Sequence, residues 1–204
     1  MEKQIRSFII VATILVSTDG MAQDSSRIHF TTGVGVNKIK GSLSNTFRST
    51  IAFNSALEVA LGKNWFAQAE LNFNTLKYDQ QKKADNSSYL FRNTNSSLLL
   101  IGLNGGRDFS FANSWFISAY TGGGFVSVGE PRISVDEDNR VVTQTIAART
   151  GFFGKGGTRV GYKTRSKIFQ TLYIDGSYWT STVKTQGNTL RGLSLFAGMR
   201  MSMK

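Results

Sequence analysis

The sequence predicts an all-β protein, an eight-stranded antiparallel up-and-down transmembrane β-barrel after a signal peptide. Three observations lead to this fold. The first 22 residues have the pattern of an export signal, and no later apolar run is long enough for a membrane helix. The remaining chain alternates apolar and polar residues over segments of about a dozen residues. The charged residues of these segments lie on the polar parity, among small side chains.

The N-terminus has the three parts of a secretory signal. Lys3 and Arg6 are positively charged, residues 8–16 form an apolar run, and Gly20 and Ala22 are small residues of the kind that a signal peptidase recognises. This run is too short to span a bilayer as a helix, which takes roughly 20 residues. We expect residues 1–22 to be a signal peptide and residues 23–204 to form one outer-membrane β-barrel domain. The alternative is a buried N-terminal strand or helix.

The composition excludes several classes of protein. The chain has 204 residues, with 24 Lys and Arg against 13 Asp and Glu, one His and no Cys. Without cysteine there is no disulfide framework, thiolate metal site or lipoprotein anchor. A hydrophobic content of 40% excludes a polytopic helical membrane protein. A length of this size suits one domain, or two small ones, with a sizeable core.

The alternation predicts eight strands. In the first, Ile28, Phe30 and Val34 share one parity, and His29 and Thr31 share the other. A tilted membrane strand needs about 9–11 residues, whereas soluble strands average about 5–6. The predicted segments, which mostly exceed the membrane minimum, are 27–38, 50–62, 65–78, 90–106, 115–128, 141–162, 168–180 and 189–203.

The charges show which parity faces inward. A soluble sandwich also alternates, but its outer face is normally rich in Lys and Glu. Here the polar parity consists mostly of Gly, Ala, Ser, Thr and Asn, as in a crowded interior, so the apolar parity is expected to face lipid. The side chains predicted to form an ion-pair network in this packed polar lumen are Glu58, Glu70, Arg149, Asp175, Arg200 and His29. Lys155 and Arg159 share their parity.

Connections and aromatic residues suggest the two rims. Short to moderate turns are expected at 62–64, 107–114 and 163–167, longer loops at 39–49, 79–89 and 129–140, and a short last loop at 181–188.

Trp and Tyr favour the zone where lipid headgroups meet water. Two aromatic belts are predicted there, one of Trp65, Trp115, Tyr162 and Phe169 and the other of Tyr78, Phe91, Phe125 and Trp179. A bulge is expected near Phe152 and Phe153, where the glycine-rich stretch begins.

The chain resembles the small outer-membrane β-barrel domain proteins, the OmpX-like and PorT-like families of Gram-negative bacteria. The resemblance is carried by the hairpin LEVALGKNWFAQAELNF, the strand YIDGSYW, the closing strand GLSLFAGMRMSMK and the signal end at Met21-Ala22-Gln23. It covers the whole mature chain. It implies an outer-membrane barrel with no cofactor and frequently no assigned activity.

The predicted function is non-enzymatic, in envelope integrity or in surface contact through loops 79–95 and 129–141. One alternative is a narrow channel for small solutes, since Arg and Lys line the interior. A second is a soluble, lipocalin-like ligand-binding barrel. A remote third is a membrane-embedded lipid hydrolase in which His29 acts as the base for a serine.

The expected partners are outer-membrane lipid and lipopolysaccharide, together with the barrel-assembly machinery during insertion of a monomer. The net charge of +11 is dispersed, with no basic stripe that would indicate nucleic-acid binding. No metal or cofactor site is predicted, although Asp136-Glu137-Asp138-Asn139 has oxygen ligands that suit a divalent cation. The residues predicted to contact lipopolysaccharide at the outer rim are Lys82, Lys83, Arg92, Arg132 and Arg140.

Overall fold

The computed structural model describes residues 28–81, 90, 92–136, 140–166 and 168–203. Eight antiparallel strands follow one another round a closed barrel, in which β8 pairs with β1. The predicted fold class is confirmed. The predicted signal peptide lies outside the described residues. The strands are β1 Ile28–Ile39, β2 Phe47–Gly62, β3 Trp65–Tyr78, β4 Thr94–Ser110, β5 Trp115–Asp136, β6 Val141–Lys163, β7 Phe169–Thr185 and β8 Asn188–Ser202.

The barrel closes along the whole of β1. The β1–β8 register runs without a shift from His29 opposite Ser202 to Ile39 opposite Gly192. Closure of this kind removes the open edges that would otherwise invite pairing with other chains. A short 3-10 turn at Gly41–Leu43 follows β1, and no helix among the described residues is long and apolar enough to cross a membrane.

The wall separates the two parities as the sequence predicts. Because side chains alternate across a strand, a closed barrel sends one parity outward and the other into the lumen. Large apolar side chains point outward and are exposed, whereas Asn, Gln, Glu and Lys side chains of the other parity are buried. Examples of the outward set are Val34, Phe53, Leu71, Ile101, Ile117, Ile174 and Leu195.

The two ends of the barrel differ. We call the end with the β2–β3, β4–β5 and β6–β7 connections the turn end, and the opposite one the loop end. Lys63 and Asn64 make the β2–β3 turn with φ of 50° and 66°, the left-handed pair that suits a tight hairpin. At the loop end, Gln186 and Gly187 do the same with φ of 50° and 79°. The prediction of a loop at 181–188 is therefore wrong, because β7 continues to Thr185.

The loop expected at 129–140 is also mostly strand. β4 pairs with β5 no further than Val128, and β6 pairs with β7 from Phe153 onward. Beyond these points, β5 and β6 pair with each other up to Asp136 opposite Val141. We call this part, residues 129–136 with 141–152, the hairpin extension. Eight residues of β5 at about 3.4 Å each carry it roughly 27 Å past the neighbouring ladder.

The bulge expected at Phe152 is absent from the β5–β6 ladder. The register there runs unbroken from Trp115 opposite Tyr162 to the end of the extension. Phe152 consequently points outward, while Phe153 is buried in the lumen. Register shifts occur instead in the β2–β3 ladder, at Ser49/Ala52 and Ala60/Gly62, and in the β7–β8 ladder.

Candidate functional site

Charged side chains fill the turn-end half of the lumen. Six of the eight strands contribute to this group, which we call the lumen network: Glu58, Glu70, Asp108, Lys155, Arg159, Asp175 and Arg200. All except Asp108 are buried. A charge inside a narrow barrel has to be paired, since desolvation of a lone ion costs several kcal/mol.

Arg159 joins a carboxylate of the adjacent strand β7 to a carboxylate of β2, across the lumen. Its Nη1 donates to Glu58 Oε2 at 3.0 Å and its Nε donates to Asp175 Oδ2 at 3.2 Å. Its guanidinium also lies 4.6 Å from the centre of the Tyr173 ring, which suits a cation–π contact. The Tyr120 hydroxyl donates to the other oxygen of Asp175 at 2.6 Å. Arg159 therefore neutralises Glu58 and Asp175 and ties β6 to β2 and β7.

Arg200 extends the network toward the turn end. Its Nη2 is 2.8 Å from Glu58 Oε1, and its Nη1 is 3.5 Å from Asp108 Oδ2. Ser118 Oγ donates to the second oxygen of Asp108 at 2.6 Å. Glu58 thus has a cation on each carboxylate oxygen, and β8 is tied to β2 and β4.

Lys155 and Glu70 form a separate pair deeper in the barrel. Lys155 Nζ lies 2.8 Å from both oxygens of Glu70 and 5.3 Å from the centre of the Tyr120 ring. Each carboxylate of the lumen network therefore faces at least one cation. The network has three cations and four carboxylates, so it has no positive excess that would attract anions.

Apolar side chains fill the loop-end half of the lumen. We call them the loop-end cluster: Ile39, Leu43, Phe47, Leu76, Tyr78, Leu98, Leu100, Val126, Val128, Phe153, Trp179, Val183 and Leu190. Leu43 comes from the 3-10 turn, so the β1–β2 connection folds over this end. Trp179 Nε1 donates to Asn37 Oδ1 at 2.9 Å, which satisfies its only polar atom. The alternation of the sequence does not predict this cluster.

Two members of the cluster correct the predicted aromatic belts. Tyr78 is 1% exposed and Trp179 is 0% exposed, so the prediction that they face lipid headgroups is wrong. Each lies near a strand end, but on the inward parity, where the Tyr78 hydroxyl accepts a hydrogen bond from Gln186 Nε2 at 2.8 Å. Phe91 lies outside the described residues. The belt residues that point outward are Trp65, Trp115, Tyr162, Phe169 and Phe125.

The outward aromatics at the turn end contact one another and an arginine. The Trp115 and Tyr162 rings meet edge to face, with their centres 5.1 Å apart. Arg107 lies between the rings of Trp65, at 5.7 Å, and Phe109, at 5.3 Å. Amphipathic rings and a snorkelling arginine are typical of a membrane–water interface.

Arg149 corrects the predicted lumen set. Its side chain is 44% exposed and its Nε lies 2.9 Å from Glu130 Oε2, on the hairpin extension rather than near the middle of the barrel. Arg149 lies on the inward parity of the sequence. It precedes Phe153, however, where β6 begins to pair with β7, so its side chain is not enclosed by the barrel wall.

The basic residues predicted at the outer rim lie in different settings. Arg132 is 3.7 Å from Glu130, and Arg140 is an exposed residue with a φ of 55° at the end of the hairpin extension. Arg92 lines a rim cavity of about 790 Å³ together with the Arg48–Asp79 pair, whose atoms are 2.7 Å apart. Lys82 and Lys83 lie outside the described residues.

His29 shows no arrangement for nucleophilic catalysis. It is half-buried on the inward face of β1, with Glu58 and Ser202 as its neighbours in the strand register. Its Nδ1 has no hydrogen-bond partner in the described part of the chain. A serine nucleophile needs its base within hydrogen-bond reach, and no such pair involves His29 among these residues.

Several residues of the lumen network were not predicted as site residues. The sequence predicts a turn at 107–114, but β4 continues to Ser110 and brings Asp108 into the network. Tyr120 and Tyr173 lie on the polar parity, but nothing in the sequence marks them as partners of the charged residues. The parity of Lys155 and Arg159 was the available signal, and it identified the right face without identifying their partners.

The described residues offer no group of three or more His, Cys, Asp or Glu able to hold a metal ion. The side chains of the acidic stretch 136–139 lie outside what the structure describes.

Comparison with solved structures places the chain among outer-membrane barrels by fold. It is similar to a major outer membrane protein from Thermus thermophilus, with 13% identity, a TM-score of 0.50, and coverage of 85% of this chain and 99% of that one. Neisserial surface protein A matches at 13% identity and a TM-score of 0.47, covering 89% and 100%. The attachment invasion locus protein Ail of Yersinia pestis matches at 14% identity and a TM-score of 0.44, covering 85% and 97%. No family model and no curated protein matches the sequence.

Proposed function

We propose that this protein is an integral outer-membrane barrel with a closed lumen, and that it acts without catalysis, in surface contact through its hairpin extension. The observation that carries the proposal is the inversion of the barrel. Apolar side chains cover the outer wall, and buried ion pairs fill the turn-end half of the interior. A soluble barrel would leave this apolar wall in water, at about 25 cal/mol for each Å².

A closed lumen argues against the channel alternative. The lumen network occupies the turn end and the loop-end cluster occupies the other, so a solute would have to pass both. The apolar outer wall also argues against the soluble, lipocalin-like alternative, which needs a polar exterior.

The hairpin extension supports a contact role at the cell surface. In the proposed orientation the turn end faces the periplasm and the extension projects outside the cell. Residues 129–136 and 141–148 pair only with each other in the strand register, so each of the two stretches has one edge without a strand partner. The β5 edge carries Glu130, Pro131 and Arg132, which discourage strand addition, whereas residues 141–148 carry no charge. An extended peptide would therefore add along β6.

The proposal also covers export, membrane insertion and family membership. We propose export through residues 1–22 as a cleaved signal, insertion as a monomer by the barrel-assembly machinery, and membership of the OmpX-like or PorT-like group. The similarity of the hairpin LEVALGKNWFAQAELNF to such barrels supports the last point.

Heat-modifiability of the outer-membrane fraction tests the proposal. A closed membrane barrel resists SDS until it is boiled, so the unboiled protein should migrate differently from the boiled protein. A protein recovered from the soluble periplasm with no shift would contradict the proposal.

Trypsin applied to intact cells tests the orientation. Arg132 is half exposed and Arg140 is exposed, so the extension should be cut while the barrel stays whole. The matched variant R132Q/R140Q/R149Q should resist cleavage at the extension. Cutting only after the outer membrane is permeabilised would contradict an outward-facing extension.

A further inference from the structure

One face of the barrel carries cations but no acidic side chain. Residues 28–57 and 176–203 contain no Asp or Glu. Because β8 pairs with β1, closure joins these two stretches into one continuous wall of β1, β8 and the loop-end part of β7. The wall has no acidic side chain because closure brings together two ends of the sequence that both lack Asp and Glu.

Three cations gather where β1 meets β8 at the loop end of this wall. Lys38 points outward from β1, Arg191 points outward from β8, and Lys40 follows β1. The Lys40 backbone N–H donates to the Arg191 carbonyl at 2.9 Å, and the Arg191 guanidinium lies against Gly41. Lys38, Lys40 and Arg191 form no ion pair within the described residues. By contrast, Arg132 and Arg149 on the hairpin extension face Glu130, and Arg48 faces Asp79.

A shallow apolar groove runs from Lys38 across β8 and β7 to β6. Its volume is about 680 Å³, and Lys38 lines it together with Val36, Tyr178, Leu193 and Leu195. Its floor includes Gly156 and Gly176, where the wall has no side chain. A Cβ at Gly176 would meet nothing within 4 Å, and one at Gly156 would approach only the Tyr120 carbonyl, at 3.9 Å.

We infer that this face binds one phosphorylated glycolipid of the outer leaflet, of the lipopolysaccharide type. The phosphates meet Lys38, Lys40 and Arg191, and an acyl chain lies in the groove between Tyr178 and Leu195. The inference rests on the proposed membrane orientation. The alternative occupant is a second copy of this chain. Symmetric docking would bring the same cations of both copies together, where they repel, so charge complementarity favours the anionic lipid.

Native mass spectrometry of the full chain in detergent tests this inference. The probes are diphosphorylated lipid A, the same lipid without phosphates, and phosphatidylcholine. Each cation near an anionic headgroup contributes roughly fivefold in affinity, so K38Q/K40Q/R191Q should weaken binding of diphosphorylated lipid A roughly a hundredfold. The matched control K77Q/R132Q/R140Q removes equal charge elsewhere at the loop end and should change binding less than about threefold.

The groove is tested separately by filling it. Gly156→Leu/Gly176→Leu should weaken lipid A binding about tenfold, since a few CH₂ contacts are lost, and both side chains project into open space without disturbing the fold. Gly105→Leu, at another open outward glycine, is the control.

Equal binding of phosphorylated and dephosphorylated lipid A, or equal loss in the triple variant and its control, would overturn the inference. If the wild-type barrel shows the heat shift but no lipid preference, this inference fails and the proposed function stands. If the wild-type protein shows no heat shift, the proposed function fails, and the inference fails with it.

Discussion

The two halves of the lumen are filled by opposite means. The turn-end half is held by charge, with Arg159, Arg200 and Lys155 distributed among four carboxylates. The loop-end half is held by apolar contact, with Trp179, Phe47 and Leu98 almost completely buried. Both lie inside the same barrel, and apart from Leu43 their side chains come from inward-facing strand positions.

The difference shows that inward does not mean polar in this barrel. Alternation determines only that a side chain faces the lumen. At the turn end the lumen side chains satisfy one another by pairing, and each is expensive to lose because its partner would stay buried and charged. At the loop end the cost of a lost side chain is a cavity, which depends on volume and not on charge.

The largest effect is expected from Arg159→Ala. Removing this guanidinium leaves Asp175 with only the Tyr120 hydroxyl, and Glu58 with only Arg200. Breaking a buried ion pair in this way costs about 3–5 kcal/mol. Urea unfolding in detergent micelles, followed by tryptophan fluorescence and by the heat shift, measures the loss.

A second variant shows whether the loss comes from charge. In Arg159→Met/Asp175→Leu the carboxylate leaves together with its cation, and the free energy of unfolding should recover by at least about 1 kcal/mol relative to Arg159→Ala. If the double variant is no more stable than the single one, the lumen network does not act through charge compensation.

A somewhat smaller effect is expected from Leu98→Ala in the loop-end cluster. Leu98 is fully buried, so the truncation should cost about 2–4 kcal/mol, with no dependence on salt. Leu103→Ala is the control, because Leu103 is 58% exposed on the outer wall and detergent can fill its place. Equal losses for Leu98 and Leu103 would mean that the cluster is not a packed core.

The smallest effect is expected from Arg149→Ala on the hairpin extension. Its pair with Glu130 is partly exposed, and such pairs contribute less than about 1 kcal/mol and weaken as salt rises. The same unfolding measurement at low and high salt separates it from Arg159. A loss as large as that of Arg159→Ala would place Arg149 functionally within the lumen network, as its parity suggested.

Particular residues show how far the sequence could predict the site. Parity predicts that Glu58, Glu70, Asp175 and Arg200 face the lumen, and all four are buried. Strand length correctly predicted a barrel wall. Parity did not predict how far along the barrel axis a side chain lies. Arg149 lies above the wall, whereas Asp108 lies within it. Pro131 and the acids that follow made the β5 extension look like a loop, because proline and acidic residues are rare in paired strands.

The period of two in the sequence determined by itself which side chains face lipid and which face the lumen, and hence the inverted barrel. Only the tertiary structure decided which inward side chains meet. Arg159 and Glu58 are 101 residues apart, and Lys155 and Glu70 are 85 apart. Closure of β8 on β1 likewise decided that the two acid-free ends form one cationic face. The physical reason is that alternation is a property of each strand alone, whereas partners across a lumen depend on strand register, tilt and closure together.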